Sequence, residues 1–325
     1  MLSDYGGVQM QHRLRIRYLV KGGAVAAILA AGVLTGTGRS AALPPPGFID
    51  VFAGGGVGDG GPALEAAIST PAGVVIDGVG DLYFSDTCSI RKISGGIVTA
   101  TVGTGTCGFN ADGLAPGLTQ VNFPAGLALD SAGDLVFADK SNCRIRKVSA
   151  GVVTTIAGNG TCGVGTDGIA ATASRLNQPR DVTFDALGDF YIADDFSCRI
   201  RKVTGGIITT VAGGGACGYS GDGGLATSAQ LRGTTGISVT SSGDLYIADI
   251  QSCVVRVVSG GIINTAAGNG TCAYGGDGGL ATASLVRTTD VFAVGTDVYL
   301  SDTANCRIRP LYHAIVICFD KHDVV

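Results

Sequence analysis

Apolar and polar positions alternate along much of this chain in short runs rich in Val, Ile and Thr, each closed by Gly or Asp. A period of two puts successive side chains on opposite faces of an extended backbone, so these runs predict half-buried β-strands. One stretch shows the full set. Asp181 to Asp185, Phe190 to Asp194, Arg199 to Val203 and Ile207 to Ala212 predict four strands in succession. The turns joining first to second and third to fourth carry Gly-Asp or Gly-Gly, which suit tight antiparallel hairpins. A Gly-rich loop follows the fourth strand, then an Ala-rich stretch such as Leu225 to Leu231. That stretch predicts one or two helical turns capped by an Asp such as Asp222. No long amphipathic helical pattern occurs.

The pattern repeats. From Thr155 the chain reads TIAGNGTCGVGTDG, and from Thr210, 55 residues later, it reads TVAGGGACGYSGDG. Further copies begin at Ala100 and Thr265, and a shortened one near Val51. A four-stranded antiparallel unit recurring at this scale predicts an all-β propeller, because each sheet packs only on its neighbours and ring closure protects the edges. Five units carry the first three strands, and the fourth is clear in four of them. Phe48 to Ala53 reads as a fourth strand with nothing before it, so it could complete the last blade by joining the chain ends. Ile315 to Phe319 is the competing choice, and a six-bladed or incomplete ring is the third.

Motifs of the form G-D-L-Y-I-A-D-x-x-x-C-R-I-R-K-V followed by G-I-I-T-T-V-A-G resemble the NHL-repeat family over residues 48–311. The loop from Gly213 to Thr227 is similar to the long, Gly-rich version of that repeat in extracellular and bacterial surface proteins. The resemblance implies an NHL-type β-propeller and leaves function open, since one fold serves many purposes. Two features depart from it. The usual Asn-His-Arg before the third strand is Asn-Cys-Arg here (Asn142-Cys143-Arg144, Asn305-Cys306-Arg307), and the segment from Pro310 leaves the repeat.

Composition places the domain in a compartment. His12, Arg13, Arg15, Arg17 and Lys21 precede an apolar, small-residue run from Gly22 to Gly38, and Ser40-Ala41-Ala42 offers a cleavage site. Residues 1–42 therefore read as a signal peptide, with an uncleaved membrane anchor as the alternative, 43–47 as a linker and 312–325 as an atypical tail. Either reading puts the propeller outside the cytoplasm: extracellular, periplasmic or on the cell surface. The ten cysteines agree. A formal net charge of −4 argues against a nucleic-acid partner. Glu65 is the only glutamate, and the remaining acids are Asp, a bias toward turns.

Cys88, Cys143, Cys198, Cys253 and Cys306 stand at the start of the third strand, and Cys107, Cys162, Cys217 and Cys272 in the loop after the fourth. In an up-and-down blade these two places are neighbours at one end, which predicts Cys88–Cys107, Cys143–Cys162, Cys198–Cys217 and Cys253–Cys272. Pairing into the next blade, as in Cys107 with Cys143, spans a longer distance. Zinc spacing is absent. Cys306 then lacks a loop partner, and Cys318 is its substitute or a spare thiol.

The three histidines are His12, His313 and His322, so the repeat region holds none and offers no Ser-His-Asp triad. Asp86, Asp139, Asp194, Asp249 and Asp302 close every second strand, and the Arg pairs of the third strand recur beside them. What every blade carries serves the blade. Candidates for function lie where blades differ, at the entry to the first strand: Arg180, Asp181 and Asp290, facing the mouth of the central channel. Asn159 and Asn269 sit in glycosylation sequons. The reading is a secreted or surface, monomeric, non-catalytic propeller that binds a protein or glycan and uses no cofactor. The alternative is a hydrolase, lyase or lactonase with calcium in the channel, its ligands drawn from Asp and Asn.

Overall fold

The computed structural model describes Ala53, residues 59–295 and 297–311, and a short backbone pairing of Val20–Lys21 with Ala24–Val25. Otherwise the export segment, the linker, the tail and both candidates for the last fourth strand (Ala53 apart) lie outside the described residues.

Five antiparallel sheets form a ring of five blades. Blade 1 runs Val74–Ile76, Leu82–Asp86, Ser89–Ser94 and Ile97–Val102. Blade 2 runs Pro124–Leu129, Leu135–Asp139, Arg144–Ser149 and Val152–Ala157. Blade 3 runs Pro179–Phe184, Phe190–Asp194, Arg199–Thr204 and Ile207–Ala212. Blade 4 repeats this at Thr234–Val239, Leu245–Asp249, Val254–Ser259 and Ile262–Ala267. Blade 5 has three strands among the described residues, Asp290–Val294, Asp297–Asp302 and Arg307–Leu311. The first strands of successive blades lie side by side around the axis.

The core lies between blades rather than within one. One buried cluster joins Ala193, Ile200 and Ala212 of blade 3 to Ile237, Val239 and Ile247 of blade 4, and others join blades 1 and 2, 2 and 3, and 4 and 5. A sheet that buries both faces this way needs apolar residues at alternate and sometimes consecutive positions, as Leu245–Asp249 shows by being buried throughout.

Each interblade loop runs along the outer edge of the blade that follows it. Ile169–Ala170 adds a short outer strand to blade 3 and Gly224–Leu225 to blade 4. The expected Asp-capped helix is not there: Ala226–Ser228 forms a single 3-10 turn with no side-chain cap. Asp222 instead accepts from Arg256 Nη2 at 2.6 Å and from Thr265 Oγ1 at 2.7 Å. The same link recurs as Asp59–Arg91, Asp112–Arg146, Asp167–Arg201 and Asp277–Arg309. These arginines are buried, and in four blades they also pair with the Asp that ends the second strand. That Asp in turn accepts a backbone N–H at the entry to its own blade, as Asp194 does from Asn177 at 2.6 Å. In those four blades one arginine thus ties loop, second strand and third strand together, and in blade 4 Arg256 ties the loop to the third strand.

The four disulfides join Cys88 to Cys107, Cys143 to Cys162, Cys198 to Cys217 and Cys253 to Cys272, with Cα separations of 4.8–5.3 Å. Cys143, Cys198, Cys253 and Cys306 sit just before the third strand, at φ of 52–54°. Cys306 is exposed and has no disulfide partner among the described residues.

Candidate functional site

One cavity of about 780 Å³ is lined by all five blades and marks the channel mouth. Its wall comes from the entry to each first strand, where register irregularities between Pro124 and Leu127, Pro179 and Asp181, and Thr234 and Ile237 re-aim side chains. Arg180, Asp181 and Asp290 all line it.

Equivalent residues around the ring are Gly73, Gly126, Asp181, Gly236 and Asp290. The alternation has a steric cause. A Cβ on Gly126 would stand 2.0 Å from Asp181 Oδ1, and a Cβ on Gly236 would stand 2.2 Å from Asp290 Oδ1. Each carboxylate occupies the room that the preceding blade leaves by having no side chain. Asp181 also bridges forward, since its Oδ2 accepts from Ile237 N–H of blade 4 at 2.8 Å and its Oδ1 from Val182 N–H at 2.9 Å. Asp290 Oδ1 accepts from Val291 N–H at 2.8 Å.

The two carboxyls share one low-dielectric site. Burial first, and then the Asp290 charge, push Asp181 well above the usual carboxylate range. Asp290 is pushed up to about 6 by burial. Its side chain remains open to water inside the channel, so it is deep rather than sealed. The pair takes up and releases protons as a unit.

A stability consequence follows. The folded pKa of Asp290 lies above its unfolded value, so ionisation on raising pH from about 4 through 6 weakens the fold. Asp290→Asn should therefore stabilise at pH 7.5, by roughly 1 kcal/mol after discounting for channel water. The gain should fade below about pH 4. Thermal melts across this range check it, and a variant less stable at pH 7.5 than the parent would contradict it.

Sequence comparison between blades found these three residues but missed two more. Arg232 and Arg287, just ahead of the first strands of blades 4 and 5, also line the cavity. Arg180 Nε donates to Asp195 Oδ2 at 2.5 Å, and Arg232 Nε donates to Gln251 Oε1 at 3.1 Å. The guanidinium of Arg287 has no partner among the described residues. Also among the described residues, no group of three or more His, Cys, Asp or Glu gathers as a metal site. Asn159 and Asn269 are exposed, and each Oδ1 accepts from the N–H two residues on, Thr161 and Thr271.

No protein-family profile matches the chain. Among curated proteins it is similar to chicken teneurin-1, 29% identical over 248 residues (65% of this chain), and to human teneurin-4, 28% identical over 228 residues (62%). The chain spans 8–9% of the length of these relatives. Solved structures with a similar course include an auxiliary nutrient binding protein from Bacteroides thetaiotaomicron, at TM-score 0.56 and 15% identity, covering 78% of this chain and 64% of that one. A chain of the nidogen/laminin complex matches at TM-score 0.52 and 16% identity, covering 76% and 77%. The structural likenesses show the β-propeller fold, and the sequence likeness to the teneurins supports a propeller of the NHL type.

Proposed function

We propose that this chain is a secreted or surface-displayed NHL propeller that acts as a non-catalytic scaffold and binds a protein or glycan partner at its channel mouth. The carrying observation is where the blades differ. Residues that hold a blade together, such as Asp194 and Arg201, recur around the ring, whereas the residues lining the cavity change from blade to blade. A repeat protein that keeps its scaffold constant and varies one concave face has the anatomy of a binding module. Four disulfides suit an oxidising compartment, in keeping with an export segment at residues 1–42. Arg180, Asp181 and Asp290 are the residues to which ligand contact is assigned, in a monomer that needs no cofactor.

The convergence of Asp181 and Asp290 favours one other reading, a channel calcium serving hydrolysis or lyase chemistry. The two separate by experiment. The secreted protein is screened against arrays of glycans and ectodomains, and for turnover of ester and lactone panels with and without calcium. The binding reading expects an array ligand whose retention falls at least tenfold in Arg180→Ala, with no calcium-dependent turnover. Calcium-dependent turnover that disappears in Asp290→Asn would overturn it.

A further inference from the structure

The cavity is asymmetric in charge. Blades 3, 4 and 5 each contribute one arginine, Arg180, Arg232 and Arg287, while blades 1 and 2 present the small apolar Ala72 and Ala125. Arg180 and Arg232 are oriented by single Nε bonds, which leaves their terminal nitrogens, and the whole guanidinium of Arg287, without partners among the described residues. Guanidinium nitrogens in this state favour a planar carboxylate, which takes two parallel hydrogen bonds. The carboxyls of Asp181 and Asp290 lie in the same cavity and suit hydroxyl groups as hydrogen-bond partners.

A second, independent observation lies on the same face. Phe123 immediately precedes the first strand of blade 2, is 45% exposed, and holds a left-handed backbone at φ 50°. The corresponding residues of blades 3 and 4, Gln178 and Gly233, share this positive φ, so the backbone conformation belongs to the blade and the exposed ring is what distinguishes Phe123. Phe196, in the turn before the third strand of blade 3, is 52% exposed. Its counterpart in blade 4, Gln251, lines the cavity. Neither ring lines the cavity itself: Phe123 stands two residues before the lining Ala125 and Phe196 at the repeat position of the lining Gln251, so both offer flat apolar platforms just outside the wall.

We propose that the channel mouth binds an acidic oligosaccharide, with a sugar carboxylate on Arg232 and Arg287, hydroxyls on the deep carboxyls, and further sugar faces on Phe123 and Phe196. This rests on the binding reading above. An acidic peptide would use the arginines but leave the polyhydroxyl-compatible floor and the rings unused, so it is the weaker fit. A volume of about 780 Å³ is within the usual range of small-molecule sites.

The test is titration calorimetry on the secreted protein with galacturonate, glucuronate and sialylated oligosaccharides, the methyl esters of the same sugars, and a poly-glutamate peptide. At least one acidic series should bind, with its ester at least tenfold weaker and the peptide weaker still. Arg287→Ala and Arg232→Ala should each lose about tenfold with an unchanged melting temperature, and Phe123→Ala a few-fold. Equal binding of acid and ester, equal binding of the peptide, or no binding of any acidic series would overturn the proposal. If these sugars fail while an array ligand of another class is lost in Arg287→Ala, the ligand class falls and the binding reading stands. Calcium-dependent turnover would instead remove the binding reading itself.

Discussion

Arg201→Ala is expected to destabilise the propeller by about 3–5 kcal/mol at neutral pH, the cost of removing one partner from a buried ion pair. Arg201 is fully buried, ion-pairs with Asp194 at 3.7 Å and Asp167 at 2.6 Å, and donates to the Thr166 carbonyl at 3.2 Å. Asp194 is itself fully buried, and burial pushes it up to about 6 even beside the arginine. Without Arg201 its charge stands uncompensated, and its folded pKa rises further. The sign of the pH dependence follows: the deficit should be largest above pH 7 and shrink toward pH 5, where Asp194 binds a proton. Asp167 and its loop should also detach from blade 3, so proteolysis should begin between residues 158 and 178. Urea denaturation of parent and variant at pH 5 and 7.5 measures this. A loss under about 1 kcal/mol with no pH dependence would show that the ion pairs do not hold the loop.

The same residues show what can be read from a sequence and what cannot. Strands were legible because period-two alternation is local, and the disulfides because up-and-down topology places the two cysteine positions at one end of adjacent strands. Asp222 was misread as a helix cap because capping is local, whereas its partner Arg256 lies 34 residues away on the third strand of the following blade. Nothing near Asp222 signals that pairing. Recurrence of Asp and Arg in every copy was the available clue, and it established a structural role without naming partners.

The candidate site was legible to the same partial degree. Comparing blades picked out Arg180, Asp181 and Asp290 because each replaces a small or neutral residue in a sister blade. Arg232 and Arg287 stand at the same 55-residue offset as Asn122 and Asn177, and were missed because variation between blades was weighed only from the start of the first strand onward. Asn122, Asn177 and Arg232 each donate a backbone N–H to an Asp 17 residues on, whereas Arg287 reaches Asp302 in 15. The shared hydrogen bond agrees with the constant offset in making these four equivalent. The fit of Asp181 over Gly126 is equally non-local, being a contact between blades.

Reduction of the four disulfides is expected to unfold the ring rather than loosen it. Each closes a loop of 19 residues within one repeat, so each removes chain entropy from the unfolded state worth about 3 kcal/mol. They lie in four separate blades, where effects add to a first approximation. Their sum, on the order of 10 kcal/mol, matches the whole net stability of an ordinary domain. Each bond also anchors the loop that carries the following blade's Asp–Arg link, as Cys162 does for the loop holding Asp167. Losing all four therefore weakens the buried ion pairs as well. Melting with and without reductant, followed by circular dichroism, should show loss of the cooperative transition at 25 °C in the reduced protein. Single-pair replacement, Cys198→Ser with Cys217→Ser, should cost about 3 kcal/mol and leave the rest folded. Cys306, exposed and without a partner among the described residues, supplies an internal comparison: the eight cysteines of the four disulfides should resist a thiol reagent under native, non-reducing conditions, and labelling of Cys306 reports whether it is joined to Cys318. A reduced protein that melts within a few degrees of the oxidised one would place the stability of the ring in its interblade cores alone.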